Sequence, residues 1–423
     1  MLSAGAKGWI KKYFNLIDLQ EINLPKYLTV PDDVSEEEYI HAVLGRTGIN
    51  YGFASRLLYL DKDLQKKWTS EEKLKVLLFE ALLFLYLLKN KELNEQDFLQ
   101  KLIEFYGEKT KKSLFQKITS FSKASTNDIV EAQFAARVDI KANYLENSMW
   151  VNYLSNVLIY LDVVQFQNFL NGKTENAYLQ RESLAMEVMK TIALTAYSDK
   201  KIEKKERELF KVFLASAHLS DENRAQAKVW FEEGVLAKQQ NFSTLESQLL
   251  KRYLIDLAGL VILTNHEATE QERAFLENFS EKLGFTDKEL DESLLLTEQF
   301  IITNQEKIPF LHNSGSMEIV YSSLSKRWVK ILGRNKDKLV VELQQSKELV
   351  HLIRKSTTTE LSKEEKEMVK TQFKDIVKSM PSLAIFMLPG GSLLLPFILK
   401  IIPDLIPSAF RDNEVSDEKN STH

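Results

Sequence analysis

The sequence predicts an all-α protein built as a multi-domain helical bundle. Gly and Pro are scarce, with 14 and 8 in 423 residues, and five of the eight prolines lie at or beyond residue 381. Because turns draw heavily on Gly and Pro, the rest of the chain is expected to form long helices joined by short loops. The length exceeds what a single core usually accommodates, so we expect two or three helical domains.

Changes in pattern along the chain divide it into five segments. They are an N-terminal helical domain (1–175), a second helical domain (176–300), a helical connector with a loop at 312–316 (301–348), an apolar-containing segment (349–410) and a polar, disordered tail (411–423). The tail is assigned from its composition, which is too polar to form a core.

Composition narrows the classes of function. No cysteine is present, which excludes disulfides, thiolate nucleophiles and Cys-based metal sites and favours a reducing compartment. The 56 basic and 60 acidic residues are interspersed and give a net charge of −4, so we expect no direct binding to nucleic acid. Lysines interrupt the apolar residues of the first fifteen positions. This pattern predicts a short amphipathic helix and no signal peptide.

Two capping boxes mark helix starts in the N-terminal domain. The pairs are Ser35 with Glu38 and Thr69 with Glu72. In each pair the hydroxyl and the carboxylate three residues later each accept a hydrogen bond from the other residue's free backbone amide.

Two apolar runs in the same domain predict buried core helices. The run 76–88 is apolar almost all round, but its thirteen residues are too few to span a bilayer. The run 151–170 contains Asp162 and Gln165, which also favours a place in the protein core.

An internal repeat lies within 176–300. The stretches 186–220 and 254–285 each place an apolar helix before a polar turn and a charged amphipathic helix. At an offset of 66 residues, the equivalent pairs include Asp199 with Asn265, Glu206 with Glu272 and Arg207 with Arg273. Neither helical hairpin can bury its apolar face alone, so the two are expected to pack together.

No enzymatic motif is present. The sequence lacks a GxxxxGK[ST] loop, GxGxxG, HExxH and GxSxG, and its six histidines are scattered without ligand spacing. We therefore expect a non-enzymatic protein without a cofactor.

The turn of the first hairpin is a candidate metal site. Asp199, Glu203 and Glu206 place three carboxylates near one inter-helix turn, where they are able to coordinate a hard cation. The alternative is that Asp199 is simply the N-cap of the second helix. The hairpin resembles the tellurite-resistance TerB family through Ala196, Asp199, Ile202 and Glu206. Lys200 departs from that family's glycine.

The C-terminal segment contains 21 consecutive uncharged residues, from Ser379 to Leu399. A straight helix of that length reaches about 32 Å, enough for a hydrocarbon core. Pro389, Gly390 and Gly391 must break or kink it, since proline removes an amide and clashes with the preceding turn. Three interpretations remain open: a kinked membrane span, a re-entrant hairpin, and a helical hairpin buried in a soluble core.

Residues 361–410 resemble the Letm family, the leucine-zipper/EF-hand transmembrane proteins. The matching positions begin with a helix start and continue through a proline-punctuated apolar stretch: Leu361, Ser362, Glu365, Pro381, Pro389, Leu394, Leu395, Pro396, Lys400, Pro403, Pro407, Ser408 and Phe410. The membrane segment of this chain is accordingly placed at 380–403. Its structural residues are Pro381, Pro389, Gly390, Gly391, Pro396, Lys400 and Pro403. The combination with a TerB-like hairpin resembles Letm-related bacterial proteins, some of them biofilm-associated.

The resemblance implies membrane association, cation–proton exchange and ribosome binding. Ser392 replaces an acidic residue of the family, which argues against exchange by the same route. We therefore expect a protein at the cytoplasmic face of a membrane, the inner membrane if bacterial. Its role would be in cation homeostasis, envelope stress or biofilm-related scaffolding, with a protein partner or self-association. The alternatives are a soluble helical protein-binding module, and an oligomeric cation transporter or ribosome-binding protein.

Overall fold

The computed structural model confirms the all-α prediction. It describes residues 2–118, 125–138, 156–173, 180–199, 201–236, 239–242, 245–263, 268–308, 311, 314–380 and 399. Within these ranges the chain forms sixteen α-helices and three short 3-10 helices, without a β-strand. The chain divides into two compact units, residues 1–320 and 321–423.

The first unit holds twelve of these helices. They are α1 (Trp9–Asp18), α2 (Glu36–Gly45), α3 (Ser70–Asn90), α4 (Glu95–Ile118), α5 (Thr126–Val138), α6 (Tyr160–Leu170), α7 (Arg181–Ala196), α8 (Lys204–Ser216), α9 (Asp221–Glu233), α10 (Gln248–Leu263), α11 (Glu270–Lys282) and α12 (Asp287–Asn304). The 3-10 helices are Leu24–Tyr27, Ile49–Tyr51 and Lys62–Gln65.

Helix α3 forms the centre of the N-terminal part, as the sequence predicts. The Thr69–Glu72 capping box starts it, and every residue from Val76 to Leu88 is buried. It packs against α5 and α6, so the apolar run that continues around the helix is covered on several sides. The part of the run 151–170 that the structure describes, from Asn156, is also buried through Gln167.

The amphipathic N-terminal helix is present but begins later than predicted. Helix α1 starts at Trp9, after Gly8 adopts a left-handed conformation with φ of 84°. The backbone amides of Gly8 and Ile10 donate to the Glu131 carboxylate at 2.8 and 2.9 Å. A carboxylate at this position satisfies free amides and complements the helix dipole, which fixes the start of α1.

The internal repeat is confirmed and extends to three helices in each half. The first half is α7–α9 and the second half is α10–α12. Helix α8 begins at Lys204 and α11 at Glu270, while α9 begins at Asp221 and α12 at Asp287, so both pairs are 66 residues apart. In each half the first helix packs against the second and third, and α7 packs against α10.

The predicted division between residues 175 and 176 differs from the compact units. Helix α2 packs on α10 and α12, and α6 packs on α7, so the N-terminal part and the repeat share one core. Periodicity along a helix shows which face is buried but not which distant helix covers it, and the sequence therefore suggests two domains where one unit forms.

The second unit contains four amphipathic helices in its described part. They are α13 (Ser314–Arg334), within which the division falls, α14 (Lys336–Gln345), α15 (Lys347–Thr358) and α16 (Lys363–Lys378). Helix α15 packs against α14 and α16. Its residues Leu349, Leu352 and Ile353 are buried, and Trp328 of α13 is 1% exposed. The predicted loop at 312–316 is corrected in part, because α13 already begins at Ser314.

Candidate functional site

The candidate metal-binding turn uses its carboxylates on the local backbone. The Asp199 carboxylate accepts a hydrogen bond from the Lys201 amide at 2.9 Å. Glu203 is the N-cap of α8 and forms a capping box with Glu206, whose carboxylate accepts from the Glu203 amide at 2.8 Å. The interpretation of Asp199 as the N-cap is therefore wrong, because Glu203 takes that position four residues later.

The metal assignment for Asp199, Glu203 and Glu206 remains a prediction. Across the residues that the structure describes, no group of three or more His, Asp or Glu side chains is arranged to hold a metal ion. Glu206 is 5% exposed. Its equivalent Glu272 makes the same capping box with Thr269, which shows that the repeated glutamate has a structural use in both halves.

Three lone carboxylates inside apolar runs form buried polar centres, whose hydrogen-bond partners no local sequence pattern indicates. Glu80, Asp162 and Asp256 are each 0% exposed. A buried carboxylate is tolerated only when several hydrogen-bond donors or a cation compensate for its lost hydration. A single acidic residue within an apolar helical run is the sequence signal that identifies all three.

Asp256 connects three separate parts of the first unit. Its Oδ2 atom lies 2.8 Å from His41 Nε2 and accepts from Asn50 Nδ2 at 2.9 Å, while its Oδ1 accepts from the Ser293 hydroxyl. His41 belongs to α2 and Ser293 to α12, so this one carboxylate ties α10 to both helices and to the 3-10 helix that carries Asn50.

The combination of Ser293, His41 and Asp256 is not arranged as a catalytic triad. In a triad the histidine accepts the proton of the serine hydroxyl and is oriented by the carboxylate. Here Ser293 and His41 bond to different oxygens of Asp256, and all three side chains are at least 98% buried. The arrangement holds helices together and offers no nucleophile to a substrate.

Asp162 is the anionic centre of a second network. It accepts two hydrogen bonds from Arg137 at 2.6 and 2.7 Å, one from Arg181 at 3.3 Å and one from the Tyr106 hydroxyl at 3.1 Å. Burial opposes its ionisation, but the charges and hydrogen bonds of Arg137 and then Arg181 hold the pKa of Asp162 below its ordinary value. It therefore remains ionised and links α6 to α4, α5 and α7.

Glu80 stabilises an irregular segment before α3. It accepts hydrogen bonds from the backbone amides of Leu58, Tyr59 and Leu60 at 2.6, 3.3 and 3.2 Å and from the Tyr13 hydroxyl at 2.9 Å. Burial raises the pKa of Glu80 to about 7, and these four hydrogen bonds limit the rise. Glu80 thus titrates near neutral pH while it fixes 58–60 and α1 against α3.

The start of the Letm-like stretch is well defined. Ser362 and Glu365 form the capping box of α16, and Leu361 just before it is 4% exposed. Lys355 of α15 pairs with Glu365 at 2.7 Å. The buried face of α16 consists of Val369, Phe373, Ile376 and Val377.

Apart from Met380 and Leu399, the predicted membrane segment 380–403 lies outside the described residues. This applies to Pro381, Pro389, Gly390, Gly391, Pro396, Lys400 and Pro403, and also to Ser392. Among the helices that the structure describes, none combines the length and apolar character needed to cross a membrane.

Comparison with known proteins identifies a relationship at the C-terminus. A family model described as "LETM1-like, RBD" matches residues 361–423. No curated protein and no solved structure matches the chain. The match covers the residues that carry the Letm resemblance, and it supports a Letm-related protein.

Proposed function

We propose that this protein is a non-enzymatic, membrane-associated Letm-like protein, whose helical body is tethered through residues 380–403. The observation that carries the proposal is the LETM1-like match over 361–423, which includes the 21-residue uncharged run from 379 to 399. An uncharged run of that length is sufficient for a hydrocarbon core, and the prolines within it resemble those of the Letm membrane stretch.

Within this class, a tethered scaffold fits the residues better than an ion carrier. Ser392 stands where the Letm resemblance implies an acidic residue, and an intramembrane carboxylate is the usual proton and cation site. The proposed role is therefore in cation homeostasis, envelope stress or biofilm-related scaffolding through protein contacts, rather than transport by the chain itself.

Membrane fractionation tests the proposal. The tagged full chain is compared with a variant that lacks residues 379–410 and with a control that lacks the polar residues 411–423. We expect the full chain and the control in the membrane fraction, and the first deletion in the supernatant. A full chain found wholly in the supernatant would contradict membrane association and favour the soluble binding module.

Ribosome binding is the second candidate, because the Letm resemblance implies it and the matched family model extends through residue 423. Co-sedimentation of the detergent-solubilised full chain with ribosomes measures it directly. The variant that lacks 411–423 is the informative comparison here, since it keeps the apolar segment. Equal sedimentation with and without ribosomes would exclude this candidate and leave membrane association intact.

A further inference from the structure

The described part of the second unit is basic within an acidic chain. Residues 321–380 contain 14 Lys and Arg and 8 Asp and Glu, a net charge of +6, whereas the whole chain carries −4. Much of the excess lies in 326–338, where six basic residues accompany a single acidic one, Asp337. Such a local excess attracts anionic surfaces over about a Debye length.

The exposed face of α13 carries this charge. Val320, Leu324, Trp328, Ile331 and Leu332 form the buried stripe of the helix. The opposite face bears Ser322, Lys326, Val329, Lys330 and Gly333, which are all exposed and follow the helical spacing of four, three, one and three residues.

Helix α14 follows α13 directly in the chain and also presents exposed lysines. Lys336 and Lys338 are exposed at its start, and Leu339 and Leu343 are its buried residues. Val341 is 52% exposed on α14, and Val329 is 46% exposed on α13. Surfaces that bind lipid headgroups typically combine exposed lysines with neighbouring aliphatic side chains.

We propose that Lys326, Lys330 and Lys338, with Val329 and Val341, form a contact surface for anionic lipid headgroups. The inference rests on the proposed membrane association and adds the surface and the lipid chemistry. Chain continuity supports it, because α16 of the same unit is followed directly by the uncharged run 379–399.

The residues favour lipid over RNA as the anionic partner. Recognition of single-stranded RNA stacks bases on exposed aromatic rings. Between 321 and 380, Trp328 and Phe373 are buried and Tyr321 is partly buried, while the large apolar side chains that are exposed are Val329, Val341 and Met368. Aliphatic groups insert between lipid headgroups but offer no flat face to a base.

The test measures binding of the full chain to vesicles. Neutral phosphatidylcholine vesicles are compared with vesicles of three parts phosphatidylcholine to one part phosphatidylglycerol, at low and at physiological salt. Wild type is expected to prefer the anionic vesicles at least tenfold, with a preference that falls as salt rises. The triple variant Lys326→Gln/Lys330→Gln/Lys338→Gln is expected to lose about a hundredfold of that affinity, since each lysine near an anionic surface contributes about 1 kcal/mol.

A matched control separates local from total charge. Lys91→Gln/Lys228→Gln/Lys282→Gln removes three exposed lysines from the first unit and reaches the same net charge. It is expected to bind within twofold of wild type, and Lys→Arg at 326, 330 and 338 is expected to keep the affinity. Equal losses in the two Gln variants would overturn the proposal.

The remaining outcomes distinguish this inference from the function on which it rests. Equal binding of wild type to neutral and anionic vesicles would overturn the lipid surface and leave membrane association intact. Binding to neither kind of vesicle would overturn both. Tighter binding to a single-stranded RNA oligonucleotide, lost in the triple variant, would replace lipid with nucleic acid as the partner.

Discussion

The two halves of the repeat have the same helices but different interiors. Their second and third helices begin 66 residues apart at equivalent N-caps, Glu203 with Thr269 and Ser220 with Thr286. The third helices then diverge. In α12 every residue from Leu290 to Ile302 is buried, whereas α9 exposes much of its surface.

Burial of the second half follows from what covers it. Helix α2 packs on α10 and α12, and it brings His41 to Asp256. The position equivalent to Asp256 in the first half is Lys190, which pairs with Glu187 at 2.6 Å and lies 4.5 Å from the centre of the Phe242 ring. The comparison teaches that local capping residues set the helix starts, while distant parts of the chain determine which faces become core.

The largest expected difference concerns the equivalent residues Asp256 and Lys190. Asp256→Ala leaves His41, Asn50 and Ser293 without their shared acceptor, so we expect a loss of about 3–5 kcal/mol in the free energy of unfolding. Lys190→Ala removes one ion pair and one ring contact and is expected to cost about 1–2 kcal/mol. Urea denaturation of the full chain measures both, with Asp256→Asn as a milder variant. Equal costs at the two positions would show that the halves are energetically alike.

The next difference concerns packing at Leu295 and its equivalent Val229. Leu295 is 0% exposed and Val229 is 43% exposed. Leu295→Ala should cost about 2–4 kcal/mol through lost burial and a cavity, whereas Val229→Ala should change the free energy of unfolding by less than about 0.5 kcal/mol. Thermal unfolding checks both, and a large effect at Val229 would indicate a covering partner on α9.

The pH dependence of stability should also differ between the halves. Burial raises the pKa of Glu292 to about 7, and Glu38 opposes its ionisation while Lys288 and Arg252 favour it. Because the carboxyl pKa is higher in the folded state than its ordinary value of 4.5, the full stabilisation is present below about pH 4.5. The free energy of unfolding then falls by up to about 3 kcal/mol as the pH rises through 7. The equivalent of Glu292 in the first half, 66 residues earlier, is Gln226. The substitution Glu292→Gln therefore makes the two halves alike at this position and should remove this part of the pH dependence.

Urea denaturation measures the free energy of unfolding at pH 5 and at pH 8, in wild type and in Glu292→Gln. The change between the two pH values is calculated for each protein, and the difference between these two changes is the contribution of Glu292. Glu80 shifts stability in the same direction, but it is common to both proteins and cancels in that difference. Parallel pH profiles would assign the whole effect to groups other than Glu292.

The smallest expected difference concerns the two capping boxes. Thr269→Ala and Glu203→Ala each remove the N-cap side chain of an equivalent helix, and each should lower the free energy of unfolding by about 1 kcal/mol. Hydrogen exchange in the first turns of α8 and α11 localises the effect. A loss confined to Thr269 would mean that the Glu203 box contributes nothing to α8.

The sequence predicts local features well and long-range pairings poorly. The Thr69–Glu72 and Ser362–Glu365 boxes, the buried run 76–88 and the offset of 66 all follow from spacing within a few residues or from internal comparison. The pairing of His41 with Asp256, 215 residues apart, does not, because no local pattern selects a distant partner. Asp199 fits an N-cap by its position near a turn, but Glu203 forms the capping box with Glu206 and takes that position instead.

The long separation between His41 and Asp256 has a consequence for synthesis of the chain. Helix α2 and Asn50 find their acceptor on α10 and their covering partner on α12, which are translated more than 200 residues later. At typical elongation rates of about 5–20 residues per second, that interval lasts on the order of tens of seconds. During it the face of α2 that packs on α10 and α12 in the folded protein lacks those two partners, although Tyr39 is already able to contact Phe84 of α3.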